Sequence, residues 1–138
     1  MRRVYLDACV LIYLIEDVGS FSATTRQYLS HNQDVLLCVS PLLSMEVLVK
    51  PLREGDQTLA SDYEDFLERR CWLTIDDRIF DQALLLRTRH GLKTPDALHL
   101  ATALHHGCES LWTNDDRLTR AAGGMAVNVL APGAMLPK

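Results

Sequence analysis

Val35-Leu36-Leu37-Cys38-Val39-Ser40-Pro41 decides the fold of this chain. Five consecutive apolar residues with no polar alternation fit a strand covered on both faces, as in a parallel sheet flanked by helices. Ser40-Pro41 then supplies a helix start, a hydroxyl N-cap followed by proline at the first helical position. A buried strand running straight into a capped helix is the repeating unit of an α/β protein.

The same pattern recurs on both sides. Val4-Tyr5-Leu6 is a short β-type run ending at Asp7, and the apolar stretch beginning near Ala8 reads as a helix. A helix is expected over about 22–31, a short apolar one over 42–50 and an amphipathic one up to about 70, after the break at Gly55-Asp56. A third strand is expected over 71–75, followed by a helix from Asp77 that stops at His90-Gly91. Thr94-Pro95-Asp96 opens another helix with Thr94 as its cap. Ala97, Ala101 and Ala103 keep that helix slim enough to pack closely. Strands over 110–113 and 126–130 enclose a turn and a short helix. Strands alternating with helices predict a three-layer α/β/α sandwich with a mainly parallel central sheet of about five strands.

At 138 residues this reads as one domain spanning 1–138, with 132–138 as a frayed tail. The apolar fraction of 48% and charged fraction of 23% exclude intrinsic disorder, collagen and coiled coil. No run reaches the 18 or so apolar residues of a membrane span. Met1-Arg2-Arg3 could begin a signal peptide, but Asp7 and Glu16-Asp17 interrupt the apolar run without a small-residue cleavage site. Cys9, Cys38, Cys71 and Cys108 are widely spaced in apolar stretches and match no zinc pattern, so they read as reduced core residues of a cytoplasmic protein. The net charge of −4 argues at first against nucleic acid, which usually selects a basic surface.

In open α/β sheets ligands bind beyond the carboxyl ends of the strands. Asp7 and Asp115-Asp116 directly follow strands, Glu46 lies in the second turn of the helix after 35–39, and Asp96 lies in a first helical turn. Each has a plain structural reading. Asp7, Asp96 and Asp115 suit helix N-termini, and Glu46 has Lys50 at i+4 as an ion-pair partner. Four acids converging on one sheet edge point instead to a hard divalent cation, Mg²⁺ or Mn²⁺. The chain has no GxxxxGK[ST] or GxGxxG loop to cradle a nucleotide, which leaves phosphodiester hydrolysis as the chemistry of such a site.

Four blocks carry a resemblance. Val4-Tyr5-Leu6-Asp7-Ala8-Cys9, Ser40-Pro41-Leu42-Leu43-Ser44-Met45-Glu46, Pro95-Asp96-Ala97-Leu98-His99-Leu100-Ala101-Thr102-Ala103 and Leu111-Trp112-Thr113-Asn114-Asp115 together resemble PIN-domain ribonucleases, specifically the VapC-type toxins of toxin–antitoxin pairs. The resemblance implies a metal-dependent endoribonuclease with Asp7, Glu46, Asp96 and Asp115 as the acidic quartet around one or two Mg²⁺ or Mn²⁺ ions. Thr113 matches the accompanying hydroxyl residue and Asp116 is an extra acid. Cys9 stands where many relatives carry Ser or Thr. His99 reads as a packed helix histidine, and Trp72 and Trp112 as core residues within strand runs. Lys93, Arg89 and Arg117 are candidate RNA-phosphate contacts. The resemblance further implies an RNA substrate, a homodimer and a cognate antitoxin, with 42–67 offering helices for a partner to cover. The alternatives are a non-cleaving PIN scaffold that binds RNA or protein, and an Asp-based phosphotransferase of receiver type. The first is disfavoured by the four retained acids. The second is disfavoured by Asp7-Ala8-Cys9, where a DxD pair is expected. Setting the quartet aside leaves 14 acids against 14 Lys and Arg, so the −4 is a property of the site and does not exclude nucleic acid.

Overall fold

Residues 1–131 are described by a computed structural model; the expected frayed tail, 132–138, lies outside them. Five strands, β1 (Arg2–Leu6), β2 (Val35–Val39), β3 (Cys71–Trp72), β4 (Ser110–Thr113) and β5 (Ala126–Asn128), form one sheet in the order β3-β2-β1-β4-β5. All four pairings are parallel. Successive strands are bridged by helices: α1 (Ala8–Ile15) and α2 (Ser20–Ser30), then α3 (Pro41–Glu54) and α4 (Gln57–Glu68), then α5 (Asp77–His90) and α6 (Thr94–His105), and finally α7 (Asp116–Ala122).

The period-2 pleat sends alternate strand residues into two separate cores, which explains the unbroken apolar runs. Val4, Leu6, Leu37, Val39 and Trp112 pack with Leu11, Tyr28, Leu43, Val47 and Tyr63, so α1 to α4 cover one face. Tyr5, Cys38 and Leu111 pack with Ile79, Ala83, Leu100 and Leu118 beneath α5, α6 and α7. The result is the expected α/β/α sandwich. Every residue from Ala97 to Ala103 is buried, and the small side chains let α6 lie close to the sheet. Among the described residues no single helix is long and apolar enough to cross a membrane. All four cysteines are free.

Four local expectations need correction. The helix expected over 42–50 runs on to Glu54 through Pro51 and ends at Gly55 in the left-handed conformation (φ 71°). A proline this close to the end sacrifices a single i→i−4 bond, and the terminal carbonyls are recovered when Asp56 N–H donates to Pro51 O at 2.8 Å. Helix α6 starts at Thr94, so Lys93 is the cap residue and contributes no side-chain hydrogen bond. Strand β3 keeps two residues of the expected five. It is an edge strand, and Trp72 is consequently 46% exposed, its Nε1–H donating to Leu67 O at 3.0 Å, whereas Trp112 is a core residue as expected. Finally, the Glu46 carboxylate is hydrogen-bonded to His99 Nε2 and not paired with Lys50.

Candidate metal centre

The strand order reverses direction at β1, between β2 and β4, which makes the carboxyl ends of β1 and β4 the switch point where such folds bind ligands. Asp7 leaves β1 there and Asp115 follows β4. Asp7 is 6% exposed and is the N-cap of α1. Its Oδ1 accepts from Ala8 N–H at 2.8 Å and its Oδ2 accepts from the Thr113 hydroxyl at 2.7 Å. The same Thr113 oxygen accepts from Asp115 N–H at 3.0 Å. Asp115 in turn caps α7, its Oδ1 accepting from Arg117 N–H at 2.8 Å and Leu118 N–H at 3.2 Å. The capping reading of Asp7 and Asp115 therefore holds, and each cap fixes the direction of its carboxylate. The Cys9 thiol donates weakly to Asp7 Oδ2 at 3.5 Å, filling the place of a hydroxyl. Burial, and next the charge of Asp7, push its pKa up to about 12, so it stays a neutral thiol.

Helix α6 brings Asp96 in its first turn, and α3 brings Glu46 from the opposite layer. Asp7, Glu46, Asp96 and Asp115 line one open cleft of about 350 Å³, together with Ala8, Cys9, Tyr13 and Asn114. The Asp96 carboxyl titrates above the usual carboxylate range. Burial is the main cause, followed by the charges of Asp7 and Asp115. Among the described residues no Lys or Arg forms an ion pair with any of the four acids.

Residues 4–124 match the model of the PIN domain family. The chain belongs to the PIN domain family. No curated protein matches the chain in sequence. Solved structures similar to this PIN domain include a toxin–antitoxin complex from Klebsiella pneumoniae, at 25% identity and a TM-score of 0.70 over 91% of this chain and 97% of that one. VapBC2 from Rickettsia felis, bound to a DNA fragment from its promoter, gives 16% identity and a TM-score of 0.75 over 91% and 98%. Mycobacterium tuberculosis VapC20, a sarcin–ricin loop cleaving toxin, gives 14% and 0.72 over 86% and 94%.

The donor set of this PIN domain fits a hard cation that keeps part of its water. Among the described residues no group of three or more His, Cys, Asp or Glu side chains stands close enough to hold a metal on its own. The cleft is therefore not a closed protein cage, which is the usual situation for Mg²⁺ held by one or two carboxylates. The donors are carboxylate oxygens, and among the described residues none of them is ion-paired to a Lys or Arg.

Beside the acids of this PIN domain stand cationic side chains. Lys93, Arg117 and Arg120 share a second depression of about 400 Å³ with Asp96, Asp115 and Asp116. A third, of about 310 Å³, adds His90 and Gly91 while keeping Arg117 and Arg120. The sequence reading thus placed Lys93 and Arg117 next to the acids and missed Arg120, which sits one turn beyond Asp116 at i+4. Arg89 lies in the last turn of α5 and lines none of these depressions. Asp116 lines the second depression and not the acidic cleft. His99 is packed, as expected, yet its bond to Glu46 was not legible: the two residues are 53 positions apart and belong to different layers.

Proposed function

We propose that this PIN domain is a Mg²⁺- or Mn²⁺-dependent endoribonuclease that serves in the cytoplasm as the toxin of a toxin–antitoxin pair. The observation that carries the reading is the convergence of Asp7, Glu46, Asp96 and Asp115 on one open cleft at the switch point. The chemistry such an ion supplies when bound is Lewis acidity toward water and the phosphodiester. Asp7 and Asp115 would hold it with carboxylates whose directions are fixed by the α1 and α7 caps and by Thr113. Asp96 would complete the negative field from α6, and Glu46 would accept a proton from, and orient, the attacking water.

The cationic side chains next to the cleft support a polyanionic substrate. Lys93, Arg117 and Arg120 would hold phosphates flanking the scissile one, so that RNA enters from the side of α7. The likeness to a toxin–antitoxin complex at 25% identity supports the toxin role. Exposed apolar residues support protein partners. Met45, Val49 and Leu52 form a stripe on α3, within the 42–67 region offered to an antitoxin, and Phe80 and Leu84 are exposed on α5. Four unpaired cysteines suit a reducing compartment.

The test is purified protein incubated with a panel of structured RNAs in Mg²⁺, Mn²⁺ or EDTA. Discrete cuts with either ion, abolished by EDTA and by Asp7→Asn, are expected. No cleavage across the panel, or undiminished cleavage by Asp7→Asn, refutes it.

A further inference from the structure

Glu46 differs from the other three acids. It caps nothing, it sits on the far layer of the sandwich, and three rotatable bonds separate its carboxylate from the backbone. What fixes it is a buried chain of hydrogen bonds that crosses the sheet edge. His99 Nε2 is bonded to Glu46 Oε1, His99 Nδ1 to the Tyr5 hydroxyl at 2.7 Å, and the Tyr5 hydroxyl to Ser40 Oγ at 2.6 Å. Ser40 Oγ also accepts from Leu43 N–H at 3.3 Å, which caps α3, the helix that carries Glu46. The network is therefore a closed ring: helix cap, tyrosine, histidine, glutamate, and back along α3. Tyr5, Ser40 and His99 are fully buried.

The direction of every bond in this ring follows from the donors available. The Ser40 O–H has the Tyr5 oxygen as its acceptor, so the Tyr5 O–H points at His99 Nδ1, and Nε2 carries the proton that meets Glu46. Nδ1 therefore accepts. The Tyr5 oxygen is left to accept from the Ser40 O–H, whose own oxygen accepts from Leu43 N–H. Each buried group is satisfied once, with none left over. The opposite direction would aim the Ser40 O–H at nothing in a site without water access. Burial holds the Tyr5 phenol far above its ordinary range, so it remains a donor.

We infer that His99 is a positioning residue for the metal centre: held as the Nε2–H tautomer by Ser40 and Tyr5, it grips one oxygen of Glu46 and leaves the other for the cation or its water. This rests on the metal reading above. Helix α6 then performs two tasks from one face, presenting Asp96 and, three residues later, orienting Glu46. Partners of this kind, one bond removed from the donors, typically change metal affinity by about 10–100-fold when lost.

The experiment uses the full chain and Mn²⁺ alone, with affinity read by calorimetry and, separately, the His99 ring nitrogens read by ¹H–¹⁵N NMR in EDTA. Four proteins are compared: wild type, His99→Leu, His99→Gln and Tyr5→Phe. The Gln side chain keeps an N–H donor near the Nε2 position. Expected results are an Nε2–H signature in wild type, Mn²⁺ affinity lowered about 10–100-fold in His99→Leu, substantial recovery in His99→Gln, and loss of the single tautomer in Tyr5→Phe. Thermal melts identify any variant that fails to fold, and Tyr5→Phe, which deletes one oxygen, tests the ring if His99→Leu does. An Nδ1–H tautomer in wild type, or folded His99→Leu binding Mn²⁺ as wild type does, overturns the positioning role alone. Wild type that binds no Mn²⁺ overturns the metal reading and the positioning role with it.

Discussion

Replacing Thr113 by Val tests whether the site is preorganised by the fold. The two side chains have nearly the same shape, so the fully buried position is refilled and only the hydroxyl is lost. That hydroxyl makes two bonds, donating to Asp7 Oδ2 at 2.7 Å and accepting from Asp115 N–H at 3.0 Å. A bond to a charged group is worth about 1.5–3 kcal/mol and a neutral one about 0.5–1.5 kcal/mol. The extra apolar surface of Val offsets a little of this, which gives an expected loss of about 2–4 kcal/mol. For a domain of this size that corresponds to roughly 6–16 °C in Tm. Thr113→Ser keeps both bonds and should lose only about 1 kcal/mol for the missing methyl. Urea unfolding in EDTA measures the difference from the midpoint at constant slope. Metal affinity should fall as well, because Asp7 and Asp115 are no longer held by one oxygen. A Thr113→Val protein within about 0.5 kcal/mol of Thr113→Ser would refute the argument, since the hydroxyl would then contribute no more than its desolvation costs.

Two further outcomes follow from the electrostatics. Because the folded-state pKa of Asp96 is raised, the folded chain binds that proton more tightly than the unfolded chain. The ionised group therefore destabilises the fold above the raised pKa, and the penalty disappears as pH falls through it toward the ordinary carboxylate value. In EDTA, Asp96→Asn should melt above wild type at neutral pH and converge with it in acid, while losing cleavage; melting no higher at pH 7 would contradict this. Arg117→Ala and Arg120→Ala should weaken binding of an oligoribonucleotide in an Asp7→Asn background and should each reduce the slope of log K against log salt by about 0.7. Anisotropy titrations at several salt concentrations would read it, and an unchanged slope would remove these residues from the phosphate path.

Much of this was legible locally. The run at 35–39 with its Ser-Pro start, the glycine stop at Gly91 and the acids at strand ends specify elements through interactions within a few residues. The same locality explains the misreadings. The helix expected over 42–50 runs on through Pro51, whose cost is local, because burial of Leu43, Val47 and Pro51 along one face outweighs it. Cys71 to Ile75 has the composition of a strand, but an edge position with one neighbour sustains only two paired residues.

The sequence by itself determined the order of strands and helices and a mainly parallel sheet, and it singled out four candidate acids, Glu46 among them. Asp7, Asp96 and Asp115 each stand at a helix N-terminus, a position their own neighbours encode. Only the tertiary structure decided how Glu46 joins them. Its link to His99 spans two layers of the sandwich and exists because α3 and α6 meet over the end of the sheet. That meeting depends on how both cores fill, a collective property of packing that no short stretch of sequence contains.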